Sequence, residues 1–402
     1  MPYTNKILAE AGDQENSQSR NSVPAVKKSR TFRRSRGEAV CALAVCLLSL
    51  FQIGLPSPPS DSKGYVGAQT CATCHSAQFA SQSATGHAQS LSHAHEHPLA
   101  AAFVNDALLL ERRPNYHFQF SRSSEGLKVN VFDEHQVLEI PVEWAFGAGD
   151  QAVTFISRID KDWYLEHYFS YYSLLGSLAP TPGQEALLAN TLPEAAGLMY
   201  KTLDPKTGIL GCFDCHSTGP VAVTPDGTMR PFESGVRCES CHGPGSEHVE
   251  AAAGGRIDDA RKLIDNPGRL SADELNYFCG TCHRPPGAEG TAIDWNFPWN
   301  VRHQPPYFSQ SVCFKQSQGA LSCLTCHNPH APLRQNDAAF YDGRCTVCHA
   351  PAEHPSQVAF PMGQPADCVD CHMPRVVPQP PLRFSNHWIG IYASGAKLRP
   401  SR

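Results

Sequence analysis

Residues 238–248 read Cys-Glu-Ser-Cys-His-Gly-Pro-Gly-Ser-Glu-His, from Cys238 to His248. The first five residues form a Cys-x-x-Cys-His pentapeptide, and a Gly-Pro-Gly turn then delivers a second histidine. The pentapeptide recurs at Cys71–His75, Cys212–His216, Cys279–His283, Cys323–His327, Cys345–His349 and Cys368–His372, seven copies in all. It is the attachment pattern for c-type haem. Each thiol adds across a haem vinyl group as a thioether, and the adjacent His offers one axial nitrogen to the iron. The spacing has a geometric reason. Residues i, i+3 and i+4 of a helical turn share a face, so both sulfurs and the imidazole reach one porphyrin.

Two blander readings compete. Cys-x-x-Cys pairs taken two at a time make tetrahedral zinc sites, and a single pair makes a redox dithiol. Neither requires His directly after the second Cys. His supplies 19 of the 402 residues, so its chance recurrence at all seven places has odds on the order of 1 in 10⁹. The motifs consume Cys71, Cys74, Cys212, Cys215, Cys238, Cys241, Cys279, Cys282, Cys323, Cys326, Cys345, Cys348, Cys368 and Cys371. Seven covalently bound c-type haems are therefore expected, their irons held on one face by His75, His216, His242, His283, His327, His349 and His372. Cys313 is left over in the body and is expected as a buried free thiol.

Covalent haem is attached outside the cytoplasm, so the chain needs an export signal. Residues 27–36 carry Lys27, Lys28, Arg30, Arg33, Arg34 and Arg36, and the apolar run Ala39 to Leu55 follows. A basic flank before a short apolar run reads as a signal sequence or a membrane anchor with its basic side inside. The run is at the lower limit for a spanning helix, and no Ala-x-Ala site follows it, so both forms stay open. The expected location is the periplasm or another extracytoplasmic space, free or anchored to the inner membrane. Removing residues 1–36, with 8 basic and 3 acidic side chains, leaves 25 basic and 35 acidic, a net charge near −10. An acidic exported body argues against nucleic acid and anionic lipid surfaces and suits basic redox partners.

Composition divides the chain into a disordered basic tail (1–38), the apolar run (39–55), a linker (56–64), a first haem segment (65–98), a haem-free β-rich insert (99–205), a six-haem domain (206–392) and a tail (393–402). In the six-haem stretch the motifs crowd too closely for an ordinary side-chain core. The expected fold is a multihaem cytochrome c: short helices and loops wrapped round stacked haems, with a small antiparallel β insert. The insert alternates, and favours β-branched and aromatic residues, in 116–122, 127–132, 137–141, 152–158 and 163–172. Residues 123–126 form a turn between the first two of these, and 184–190 suggests a short helix. Motif spacings share no period, which excludes a solenoid.

The ligand opposite each motif His decides the chemistry. A second His gives a saturated low-spin carrier, whereas an open face gives a place to bind substrate. Four histidines stand in turns that carry them off a haem edge: His87 in Thr-Gly-His-Ala, His248 after Gly-Pro-Gly, His330 in Cys-His-Asn-Pro-His, and His387 in Asn-His-Trp. The turn from His327 to His330 is too short for both to bind one iron, so His330 serves another haem. His303, His354 and His117 rank behind these four. Of His93, His95 and His97, one is available to ligate. His135 and His167 lie in the β-rich part and are expected to be structural. Met is scarce, so His/His ligation should dominate.

The opening Gly64-Tyr65-Val66-Gly67 with Cys71–His75 and Gly86-His87, and Cys238–Gly245 with His248, resemble the cytochrome c-552/c-554 family of multihaem cytochromes. Cys323–His330, Cys368–Pro374 and Asn386-His387-Trp388 resemble doubled Cys-x-x-Cys-His segments of related exported cytochromes. The likeness spans about 65–392, with little of it in the β-rich insert. It implies electron transfer through stacked bis-His haems, and it supports His87, His248, His330 and His387 as distal ligands. Hydroxylamine oxidoreductase and multihaem nitrite reductases share that packing, which opens an enzymatic alternative. The chain departs from them in lacking Cys-x-x-Cys-Lys and in carrying seven motifs rather than four or eight. The expected function is an electron relay, more a carrier than a catalyst, between a membrane quinol system and a redox protein partner. The alternative is an oxidoreductase acting on a small nitrogen or sulfur compound at one open haem.

Overall fold

A computed structural model of the chain describes residues 64–103, 109–112, 115–124, 126–204, 208–287, 292–349 and 368–401. All of them fall in one compact unit that includes Pro59–Arg402. The basic segment 27–36, the apolar run 39–55, Cys41, Cys46 and His354 lie outside the described residues. Among those described, no helix is long and apolar enough to cross a membrane.

Among the described residues, eleven strands precede the second motif. They are β1 (Leu91–His93), β2 (Leu109–Arg112), β3 (Tyr116–Ser123), β4 (Gly126–Phe132), β5 (Val137–Val142), β6 (Trp144–Phe146), β7 (Ala152–Arg158), β8 (Trp163–His167), β9 (Phe169–Tyr172), β10 (Ser177–Pro180) and β11 (Gly197–Lys201). The insert is thus larger than the sequence suggested. β2 to β5 make a four-stranded antiparallel meander, and Ser123 faces Gly126 across its turn. The remaining strands form a seven-stranded sheet, with β1-β6-β7-β8-β11 as its main path. β1 belongs to the first haem segment, yet Leu91 pairs with Phe146. That long-range partner leaves no local signature.

Period-two alternation explains the layers. In β4, Leu127, Val129 and Val131 turn inward, and they share one core with Phe118, Phe120, Phe155, Leu165 and Phe169. The two sheets therefore sandwich a common interior. In β6, Ala145 joins that core while Trp144 and Phe146 point to the opposite face. There they pack edge-on against Phe213, at 5.2 and 5.1 Å between ring centres. Phe213 lies inside the second motif helix, Leu210–His216. The insert is a platform for that motif.

Residues 184–190 are not helical. The helix sits at Leu192–Ala196, where the Thr191 side chain accepts the Glu194 N–H at 3.4 Å and Pro193 occupies the first turn. Buried Arg112 donates to the carbonyls of Leu187, Glu194 and Ala195 at 2.6–2.7 Å, stapling this segment to the meander.

After the sandwich come the hairpin β12 (Ser217–Val223) with β13 (Met229–Ser234), short helices, and the hairpin β14 (Arg375–Gln379) with β15 (Leu382–Ser385). Ala272–His283 is the longest described helix, 12 residues behind a Ser271/Glu274 capping box. Apolar clusters here are small: Ala272, Phe308 and Phe314 in one, Val301, Tyr307 and Val376 in another. The helices Cys323–Cys326, Ala338–Cys345 and Cys368–His372 bury none of their residues.

Two neighbours on β8 give the sandwich a pH signature. His167 is buried against Ser157 Oγ (2.6 Å), and burial pushes its pKa to about 3. Glu166 faces the other way toward Gln184 and Tyr200, and burial lifts it to about 7. The lowered histidine contributes stability that is present above about pH 6.5 and lost as pH falls toward 3. The raised carboxyl contributes stability that is present at low pH and lost as pH rises through 7. Thermal unfolding should therefore show a plateau between about pH 4.5 and 6.5, with losses of up to about 1.4 kcal/mol per pH unit outside it. Glu166→Gln should abolish the alkaline fall and keep the acid one. An unchanged alkaline limb would contradict this.

Candidate functional site

The motif cysteines and histidines lie on short helical turns with their sulfurs exposed or half-buried. The turns are held to one another by side chains inside the motifs. Glu239, an x residue of Cys238–His242, is 3% exposed. Its carboxylate accepts the N–H groups of Val66 (3.0 Å), Gly67 (2.8 Å) and Gly245 (2.8 Å). One carboxylate thus caps the first motif helix, Ala68–Ala72, and closes the Gly-Pro-Gly turn that launches His248. The sequence reading missed this residue; a glutamate between the two cysteines was the available signal.

The four turn histidines each stand across from a motif histidine. Ring centres are 6.2 Å apart for His75 and His248, 6.0 Å for His283 and His87, 5.9 Å for His242 and His330, and 6.2 Å for His327 and His387. Each partner comes from a distant motif segment. The His87 loop is seated on Gly235, whose positive φ and close approach to the Ala88 carbonyl leave no room for a Cβ. The His87 carbonyl also accepts the Val236 N–H at 2.8 Å. Ser311 Oγ donates to the His387 carbonyl (3.0 Å) and accepts the Ile389 N–H (2.8 Å), which fixes that loop.

Ring orientation is set by backbone carbonyls. Nδ1–H donates to Ser90 O from His216 (3.1 Å), to Asp265 O from His242 (2.7 Å) and to Ala260 O from His248 (2.9 Å). The same bond runs from His372 to Gly390 O (2.9 Å) and from His387 to Ser385 O (3.0 Å). A carbonyl on Nδ1 fixes the tautomer and leaves the Nε2 lone pair for a metal. Burial lowers the pKa of His87, His216, His327 and His330, and together with neighbouring His327 pushes His387 to about 4. These rings are neutral, which is the ligating form.

A c-type haem fits these residues. Each of the four imidazole pairs, with ring centres about 6 Å apart, would hold one haem iron between its two rings. Two imidazoles and two nearby thiols per motif would suit a covalently attached tetrapyrrole. Among the described residues no three His, Cys, Asp or Glu side chains converge to hold an ion by themselves. Helices that bury none of their own residues are a cradle for a large apolar ring.

The other histidines divide clearly. His97 uses both nitrogens, donating to Gly147 O (3.1 Å) and accepting the Leu99 N–H (3.2 Å). His93 stacks on Trp144 at 4.1 Å, and His117 stacks on Phe132 at 5.4 Å. His95 and His135 are exposed, as is His349 of the sixth motif. The ring packed on His216 is that of Phe146, edge-on at 5.3 Å. His303 is 8% exposed, with an unpartnered Nε2. Cys313 is half-buried rather than buried, near Cys326, Cys345 and Cys348.

Thiols from different motifs meet. Cys71 faces Cys238, Cys215 faces Cys282, Cys279 faces Cys323, and Cys345 faces Cys368. Cys241 adjoins Cys279 and Cys282, and Cys326 adjoins Cys345. The neighbour order is therefore 1–3–4–5–6–7, with motif 2 branching from motif 4.

Comparison with known proteins agrees with this chemistry. Residues 189–243, which hold the second and third motifs, match the family described as cytochrome c554 and c-prime. The C-type polyheme cytochrome OmcC of Geobacter sulfurreducens is 24% identical over 208 residues, covering 41% of this chain and 26% of that protein. The multiheme cytochrome MtrA of Shewanella baltica is 23% identical over 205 residues, covering 50% of this chain and 48% of that protein. The chain thus spans between a quarter and a half of the length of these relatives. The crystal structure of the outer cell wall cytochrome OcwA superposes with a TM-score of 0.44 at 16% identity, covering 81% of this chain and 79% of that one.

Proposed function

We propose that this chain, similar to multihaem c-type cytochromes, is an exported heptahaem electron relay. The observation that carries the reading is the set of four imidazole pairs about 6 Å apart. On this reading His248 would close the haem of His75, His87 that of His283, His330 that of His242, and His387 that of His327. Each distal ligand comes from another haem's segment, so the haems lace the chain together. Haems attached through facing sulfurs would be neighbours. Haems held at the motifs would supply one-electron carriers along the 1–3–4–5–6–7 series. Motif 4 is the junction to motif 2 beneath the sandwich.

The haems supply the one-electron chemistry; the protein's part is to hold neutral imidazoles in place, shape the surface and exclude water. The acidic body favours docking of a basic redox protein. Delivery from a membrane quinol system, through a chain exported by residues 27–55, completes the reading. A second reading, an oxidoreductase of a small nitrogen or sulfur compound, has its place at motif 2, where Phe146 packs edge-on against His216 and no imidazole pairs with it among the described residues.

Cell fractionation followed by intact mass tests the proposal. Holoprotein should appear outside the cytoplasm with a mass above the polypeptide by seven haems after denaturation. A bare polypeptide mass with bound zinc in the native protein would sink it, as would holoprotein confined to the cytoplasm.

A further inference from the structure

Beside the second motif stands a carboxyl group that the relay reading does not use. Glu166 of β8 accepts the Gln184 amide N–H at 3.0 Å and the Tyr200 hydroxyl at 3.3 Å, both neutral donors. Gln184 is 1% exposed, and its Oε1 has no partner. Tyr200 lies on the neighbouring strand β11 and packs on the apolar cluster of Ile209 and Phe213, against the helix that carries the motif. Gly197, at φ 154°, approaches the Glu166 carbonyl so closely that a Cβ would clash, which pins β11 to β8 at this point. Glu166 and Asp214 are the charged neighbours of Cys212, the motif's first thiol. The other titratable groups around Glu166 are accounted for. Tyr172 of β9 donates to the Pro180 carbonyl, and Glu185 accepts the Gly183 N–H. On β7 Arg158 is engaged by Glu143 and Asp226, Lys201 of β11 lies over Trp163, and His167 turns to Ser157.

We propose that Glu166, held by Tyr200 and Gln184, is the redox-linked proton site of the second motif. When the haem attached at Cys212 and Cys215 gains an electron from a one-electron donor protein, Glu166 takes one proton from solvent. It returns that proton on reoxidation. The electron stays on the haem, one O–H bond forms at the carboxylate, and no other bond changes. The physical reason is charge. A half-buried carboxylate held by neutral donors answers any negative charge that arrives nearby by binding a proton more tightly. Gln184 serves both forms: its N–H donates to the carboxylate, and its oxygen, after an amide flip, accepts the acid O–H. Burial already lifts the pKa of Glu166 to about 7, so the change falls near neutral pH. The inference rests on the haem reading of the second motif.

The test uses full holoprotein. Proton uptake on reduction is read with an indicator dye in unbuffered solution, beside reduced-minus-oxidised infrared spectra in H2O and D2O. Reduction should raise the proton affinity of Glu166 about tenfold, equivalent to about 59 mV between the acid and alkaline limits of one haem's potential. Wild type should therefore take up about half a proton more than Glu166→Gln near neutral pH. It should also show a protonated-carboxyl band, lowered in frequency by D2O, that Glu166→Gln lacks. Tyr200→Phe removes a donor to the carboxylate, so it should keep the band and move uptake to higher pH. Asp214→Asn should keep both signals. Wild-type uptake and band in Glu166→Gln overturn the site, as does their loss in Asp214→Asn. Should Glu166→Gln lose its haems, Tyr200→Phe decides: an upward shift supports the site, and an unmoved one overturns it. The mass of the Cys212–His216 peptide separates the two failures. A missing haem there overturns the inference together with the heptahaem reading, whereas seven haems without the Glu166 signals overturn the inference alone.

Discussion

A chain matured without haem should be cut by protease within residues 236–401 about a hundredfold faster than within the sandwich, a difference of about 3 kcal/mol in local opening. The sandwich has its own apolar interior, in which Phe118, Phe120, Val129, Val131 and Phe155 are at most 1% exposed. The motif-rich half has two clusters built on three buried residues each, and three of its helices bury nothing. Area removed from water is what stabilises a fold, and in this half bound porphyrins are expected to supply it. Limited proteolysis with mass mapping, on haem-free and holo chains, gives the ratio. Equal digestion of both halves, or an apo motif half as resistant as the holo form, would contradict this account of the core.

Replacing His87, His248, His330 or His387 by Ala should turn one haem high-spin, open it to carbon monoxide and shift its potential, with all seven haems still attached. The reason is local. Each of these rings faces a motif imidazole, and each has a turn or carbonyl that fixes it, as in the Nδ1–H bonds of His248 to Ala260 and of His387 to Ser385. His95→Ala and His135→Ala, both at exposed positions, should leave the spectrum unchanged. Ferric spectra with and without carbon monoxide read the outcome. A distal variant that stays fully low-spin would remove that residue from its proposed iron.

Much of this was legible in the chain because it is local chemistry. The pentapeptides announce themselves, and alternation located the strands at 116–123, 126–132, 137–142 and 152–158 almost to the residue. The four histidines singled out from Gly and Pro turns are those that stand across from motif histidines. Long-range pairing was not legible. Nothing near Leu91 says that it will lie against Phe146, or that one face of that sheet will carry Phe213 and the second motif. Spacing along the chain also misleads about neighbours. Cys212–His216 and Cys238–His242 are close in sequence, yet Cys215 meets Cys282 and Cys238 meets Cys71. Glu239 escaped for the same reason, since its partners Val66 and Gly67 come from a distant segment.

The central claim is that the protein passes electrons through saturated irons, and the spin state of the oxidised holoprotein tests it most directly. Electron paramagnetic resonance, calibrated against total iron, should assign the haems of His75, His242, His283 and His327 to a low-spin bis-imidazole state. A high-spin signal accounting for one whole iron, together with turnover of hydroxylamine, nitrite or a sulfur oxyanion, would contradict the relay and make the chain an enzyme.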